Sequence, residues 1–133
     1  MKLLLLTPMG AKQYDKIDEV ILPTTQGEIA VLPRHEKLIV ELAAGTIDVI
    51  VNGKTEHLAG FGGFAKITGG EVKIFSAGVE RAETLDEAKI QESLKRAREI
   101  KEAAVGDVEF AAAAAAIERE LAKLKTVRRH KTR

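Results

Sequence analysis

The chain has 133 residues, 45% hydrophobic and 31% charged, and its 21 Lys and Arg are matched by 20 Asp and Glu. That length fits one compact domain, or a small domain with an appended helical element, and the even charge balance argues against a dedicated nucleic-acid binder, which carries a large positive excess. No cysteine is present, which excludes disulfides, thiolate metal sites and a cysteine nucleophile.

Met1-Lys2 leads into a short apolar run, Leu3 to Leu6, that Thr7-Pro8 ends. This is shorter than the roughly 7–15 apolar residues of a secretory signal. No stretch approaches the roughly 20 apolar residues of a membrane span, so membrane association is expected only through a partner. Up to about Val79 the chain is rich in β-branched residues and punctuated by glycine. Strand-like runs fall at Leu3–Leu6, Ile17–Leu22, Ile29–Leu32, Leu38–Leu42, Thr46–Val51, Thr55–Leu58, Phe64–Thr68 and Val72–Phe75. In Thr46–Val51, the apolar Ile47, Val49 and Val51 alternate with the outward set Thr46, Asp48 and Ile50, the two-residue period of a half-buried strand. Asn52-Gly53 and Gly69-Gly70 separate neighbouring runs, and Asn-Gly in particular tolerates the positive φ of a tight hairpin turn. Short strands joined by such turns predict a small antiparallel β-sandwich or barrel.

The period changes near Thr84. Thr84-Leu85-Asp86-Glu87 reads as a capping box, with Thr84 as N-cap and Glu87 reaching back to it. Ile90, Leu94, Ala97, Ile100 or Lys101, and Ala104 then recur at helical spacing. Gly106 breaks the pattern and Asp107 is placed to cap a second helix. There Phe110, Ala114, Ile117, Leu121, Leu124 and Arg128 form a stripe at steps of four and three. The expected fold is therefore α+β: an N-terminal antiparallel β-sandwich over residues 1–83, then a C-terminal antiparallel α-helical hairpin over 84–133. The seam between the helices is mostly alanine, which favours the helical state itself but buries little apolar area per contact. Weak docking of a helical arm able to change position is the expectation.

Catalytic chemistry has no support in the pattern. His35, His57 and His130 show no metal-ligand spacing, and no nucleophile elbow or Walker-type loop is present. Gly60-Phe61-Gly62-Gly63-Phe64 precedes a strand rather than opening a helix, so it reads as a tight turn and not a phosphate cradle. The tail carries Lys125, Arg128, Arg129, Lys131 and Arg133 without an acid. Either it is a solvated terminus complementing a helix dipole, or it pairs with an acidic partner surface.

Read together, Val20 to His35 (VILPTTQGEIAVLPRH), Ala44-Gly45-Thr46-Ile47, Gly62-Gly63-Phe64 and Glu80 to Lys89 (ERAETLDEAK) resemble the ordered motifs of ATP synthase epsilon subunits. The likeness covers nearly the whole chain. Thr24, Ala30 and Arg34 stand where that family has glycine, and Glu36-Lys37 replaces Ala-Pro, so the loop is expected to be shaped differently. The resemblance implies a non-catalytic rotor subunit of a proton-driven ATP synthase, at the cytoplasmic face of the plasma membrane or a plastid thylakoid. Its implied partners are the gamma subunit, the membrane rotor ring and, when the helices extend, an acidic segment of the catalytic beta subunits. Glu28 and His35 match rotor-contact positions. Lys123, Lys125, Arg128 and Arg129 are the residues for the beta-subunit contact, through which the helices would inhibit hydrolysis. A weak regulatory ATP site is implied at Glu80, Asp86, Lys89, Arg96, Arg119 and Lys123; lysine at 89 and 123 lacks the forked contact that guanidinium makes with phosphate. The alternative is a free-standing ATP-sensing module with no rotor partner.

Overall fold

The computed structural model describes residues 1–132; Arg133 of the basic tail lies outside them. Eight strands precede the helices: β1 (Lys2–Thr7), β2 (Gly10–Tyr14), β3 (Glu19–Thr24), β4 (Gly27–Val31), β5 (Leu38–Val51), β6 (Lys54–Thr68), β7 (Glu71–Ser76) and β8 (Val79–Arg81). A 3-10 turn, Ala82–Thr84, leads to α1 (Glu87–Ala103) and α2 (Asp107–Lys131). The α+β order is the one expected. No described helix is long and apolar enough to cross a membrane.

Strand order is β2-β1-β7-β6-β5-β3-β4, with β8 also on β6. All neighbours are antiparallel except β1 and β7, which run parallel. The four runs read from the sequence between Leu38 and Thr68 are in fact two long strands, β5 and β6, paired with each other along their length. Each serves both layers of the sandwich. The C-terminal half of β6 pairs with β7, and its N-terminal half with β8 in the same register. β5 pairs with β3 from Ile50 back to Leu42, with a register shift between Ile21 and Thr24.

The Gly60–Phe64 segment is accordingly not a tight turn. It lies inside β6, where Gly62 and Gly63 take φ of 87° and 127° and bend the strand from one layer into the other. Asn52-Gly53 is the hairpin turn expected, with φ of 52° and 77°, the all-positive pattern of a type I′ turn. Arg34, one of the residues standing where the resemblance has glycine, holds a left-handed φ of 72°.

One core joins the two layers: Leu3, Leu5, Val72, Ile74, Ala65 and Ile67 on one side meet Val20, Leu22, Val31, Ile47, Val49 and Leu58 on the other. The inward residues predicted for Thr46–Val51 point into it. A second, separate cluster of Ile90, Leu124 and Val127, with Leu85 beside it, holds the hairpin together.

Two caps differ from expectation. Asp86, not Thr84, caps α1, accepting from Ala88 N and Lys89 N at 2.9 and 3.4 Å. Thr84 is spent in the 3-10 turn, where its hydroxyl donates to Arg81 O. Gly106 takes the N-cap position of α2 with φ of 103°, and Asp107 is the first helical residue, where its charge still favours the helix N-terminus. The predicted stripe of α2 holds only in part: Leu124 is buried and Ala114 and Ile117 are half-buried, but Phe110, Leu121 and Arg128 are exposed, whereas Ala113, Ala122, Thr126 and Val127, outside the stripe, are buried. A single stripe cannot describe a helix covered on two sides. Leu124 and Val127 turn to α1, while Thr126 turns to the sheet. Alanine dominates the seam only toward the tip; near the sheet it is built of Ile90, Leu94, Leu124 and Val127.

Candidate functional site

α2 is the helix that packs on β5 and β6. The sheet face beneath it is the outward set of those strands: Thr46 and Asp48 on β5, facing Ala59 and His57 on β6. These side chains are small or polar, and all four residues are buried. Their register follows from the Asn52-Gly53 turn, which sets Asp48 opposite His57.

Side-chain contacts to this face and to the acids at its edges hold the C-terminal half of α2. Thr126 donates its hydroxyl to Ala122 O at 2.8 Å, so its oxygen accepts from the Thr46 hydroxyl, also 2.8 Å away and buried. Asp48 and His57 are 1% and 3% exposed, and Nδ1 of His57 lies 2.6 Å from Oδ1 of Asp48. Arg129 Nη1 donates to the other oxygen, Oδ2, at 2.9 Å, and its Nη2 donates to Glu28 Oε2 at 3.2 Å. His130 packs edge-on against His57, with ring centroids 5.9 Å apart. Higher up, Lys123 lies 3.7 Å from Glu80 of β8 and 3.4 Å from Glu120 of its own helix. Burial works against the Arg129 charge, but the Asp48 carboxylate, with Glu28 behind it, outweighs burial and raises its pKa above the ordinary arginine value. Arg129 therefore stays charged.

The residues expected to bind ATP are only partly brought together. Asp86, Lys89 and Lys123 line one cleft of about 190 Å³ with Thr84, Leu85, Ile90, Ser93 and Glu120. Glu80 stands beside it through its pairing with Lys123. Arg96 instead pairs with Glu92 at 3.3 Å and lines a different groove between the helices, and Arg119 is exposed and does not line the cleft. Asp86 is committed to the cap, and Glu120 puts an extra carboxylate where phosphate charge would sit. The cleft is also smaller than the roughly 300–1,000 Å³ of ordinary ligand pockets.

Of the residues expected at the beta subunits, Lys125 is exposed, Arg128 lies 3.8 Å from Glu87, and Lys123 and Arg129 are turned onto the chain's own acids. Glu28 sits on β4 beneath the end of α2, and His35 lies in the loop after β4 with Nδ1 2.7 Å from Glu36 O. Among the described residues no three His, Asp or Glu side chains come together to hold a metal ion.

Sequence reasoning missed Thr46, Asp48, His57 and Thr126 as a group. A signal for part of it existed, because the Asn-Gly turn fixes which residues face each other across the hairpin.

On the opposite side of the sandwich the outer face is bare. Phe64 and Phe75 are cross-strand partners, and with Ile39 they are 53%, 45% and 70% exposed; Leu6, opposite Phe75 on β1, extends the row half-buried.

The family described as ATP synthase, Delta/Epsilon chain, beta-sandwich domain matches residues 1–82. Among curated relatives, the ATP synthase epsilon chain of Carboxydothermus hydrogenoformans is 38% identical over 99 residues, 74% of each chain. That of Chloroflexus aggregans is 32% identical over 117 residues, 88% of this chain and 84% of the relative. Among solved structures, a chain of the Euglena gracilis mitochondrial ATP synthase, OSCP/F1/c-ring in rotational state 1, superposes with a TM-score of 0.80. It is 22% identical and the match covers 98% of this chain and 80% of that one, a likeness of fold.

Proposed function

The chain belongs to the ATP synthase delta/epsilon family, and from that premise we propose that it is a non-catalytic central-stalk subunit whose helices restrain hydrolysis. Residues 1–83 form the rotor-bound part, bridging the gamma subunit and the membrane rotor ring, with Glu28 and His35 at the ring-facing end. Residues 84–133 form the regulatory arm, which in an extended state meets acidic segments of the catalytic beta subunits through Lys123, Lys125, Arg128 and Arg129. Attachment to the membrane comes through the complex.

The observation that carries this reading is an asymmetry between the two faces of the sandwich. One outer face presents Phe64, Phe75 and Ile39 uncovered among Glu41, Lys66 and Lys73, and exposed aromatic and aliphatic groups rimmed by charge mark a protein contact. The other is covered by α2 mostly through small and polar side chains, with the Phe61 ring beneath Lys123, so an arm that lifts off exposes little apolar floor. Pull-down with the gamma subunit tests the first half. The double variant Phe64→Ser, Phe75→Ser should fold, since both rings are already half-exposed, and should recover at least about tenfold less gamma, the loss of two aromatic anchors. Unchanged recovery removes this face from the interface, and no recovery by the parent chain favours the free-standing sensor instead.

ATP is at most a weak modulator on this reading. The small cleft, the capping role of Asp86 and the carboxylate of Glu120 all oppose a triphosphate. A ligand present only at its dissociation constant adds only about 0.4 kcal/mol to the bound arrangement. Titration calorimetry of the intact chain should show no saturable ATP binding in the micromolar range; low-micromolar affinity would overturn this.

A further inference from the structure

We propose that Asp48 and His57 form a built receptor for the Arg129 guanidinium, and that its occupation sets whether α2 rests on the sheet. This rests on the reading above only in that the hairpin is able to leave the sheet.

The receptor is complete without the helix. His57 Nδ1–H donates to Asp48 Oδ1 from the facing strand, which fixes the carboxylate and leaves Oδ2 directed at α2. Arg129 Nη1 meets that oxygen at 2.9 Å, and its second nitrogen reaches Glu28 at 3.2 Å. One guanidinium thus bridges carboxylates on β5 and β4 through two nitrogens held in one rigid plane. When α2 departs, Asp48 keeps the His57 hydrogen bond and its freed oxygen meets water, so release leaves no buried charge without a partner.

Beside the receptor the floor offers the Thr46 hydroxyl, the Ala59 methyl group and the half-buried Phe61 ring, over which Lys123 lies at 5.7 Å. Apolar burial is concentrated inside the hairpin, between Ile90, Leu124 and Val127, and travels with it. The docked position therefore depends on charge-assisted contacts, which salt weakens where they reach solvent. Glu28 is the solvent-facing half of the bridge, with its side chain 44% exposed. A cation brought to Glu28 from outside competes for it and loosens Arg129. Contact at the β4 end of the sandwich and release of the helices are thereby linked.

The natural absence of cysteine permits a direct test on the full chain without rotor partners. Spin labels at Thr25→Cys on the β3–β4 turn and Lys125→Cys on α2, both exposed, report the sheet-to-helix distance by double electron–electron resonance. The parent should give mainly one short distance whose share falls as salt rises. R129Q should raise the ratio of released to docked molecules about tenfold or more, the usual size of a charge-assisted contact, and should reduce the salt dependence to the part carried by Lys123 and Glu80. R129K should fall between the two. H57Q should raise the released share while leaving part of the salt dependence, since the Arg129 charge remains. Circular dichroism should show undiminished helix in every variant. The proposal is overturned if R129Q and H57Q both keep the parental distance distribution at low and high salt. Failure to recover gamma in the pull-down would sink the rotor reading and leave this result standing.

Discussion

Gly63→Ala is expected to be the most damaging single substitution in the sheet. Gly63 holds φ of 127°, a conformation L side chains rarely adopt, and an added Cβ would overlap the Phe75 carbonyl oxygen and approach Ser76 Cα at 2.9 Å. Both obstacles are backbone atoms of the hydrogen-bonded neighbour β7, so no side chain can swing aside to make room. Strain of this kind costs about 1–3 kcal/mol before the overlap is counted, against a total stability of about 5–15 kcal/mol. A loss of about 3 kcal/mol or more is expected, a fall in Tm on the order of 10 °C. Gly69→Ala is the control, because a Cβ there meets nothing within 4 Å. Calorimetric melting of the two variants settles the matter; equal Tm values would show that the bend at Gly62-Gly63 is not the constraint it is taken to be.

The second large effect concerns the arm. Removing residues 84–133 should leave the β-domain folded, since its core runs from Leu3 to Ile74 without a helical member. What the truncation uncovers is Thr46, Asp48, His57 and Ala59, with the Phe61 ring beside them, a floor that exposes no large apolar patch. The truncated chain should therefore still bring down the gamma subunit. ATP hydrolysis by the reconstituted complex should rise several-fold, because the arm that opposes rotation in the hydrolysis direction is gone, while synthesis should be largely unaffected. A hydrolysis rate no higher than that of the intact complex would remove the inhibitory role and leave the rotor role untouched.

The long strands show where sequence reading reached its limit. Glycine at 60, 62 and 63 suggests a turn, and the sequence reads as four short runs between Leu38 and Thr68. In the fold β6 passes through these glycines because it has a hydrogen-bonded partner on both sides of the bend. β2 was missed for the opposite reason: Gly-Ala-Lys-Gln-Tyr has no apolar alternation and is a strand because β1 offers it an edge. Thr84 and Asp86 were both chemically able to cap α1. The 3-10 turn that engages the Thr84 hydroxyl gave the position to Asp86.

The sequence by itself determined what short-range forces control: the Asn52-Gly53 turn, the inward face of Thr46–Val51, the switch of period near residue 84 and the Gly106 break between the helices. Only the tertiary structure decided how the arm meets the sandwich. Thr46 and Thr126 are separated by 80 residues, Asp48 and Arg129 by 81, and Glu28 and Arg129 by 101. Polar side chains carry no periodic signature announcing a distant partner, and on a strand an outward Asp or Thr looks the same whether water or a helix will cover it. Hydrophobic pattern dictates which face turns inward, whereas the choice of polar partner is made only once the chain has folded and brought the two surfaces within hydrogen-bonding reach.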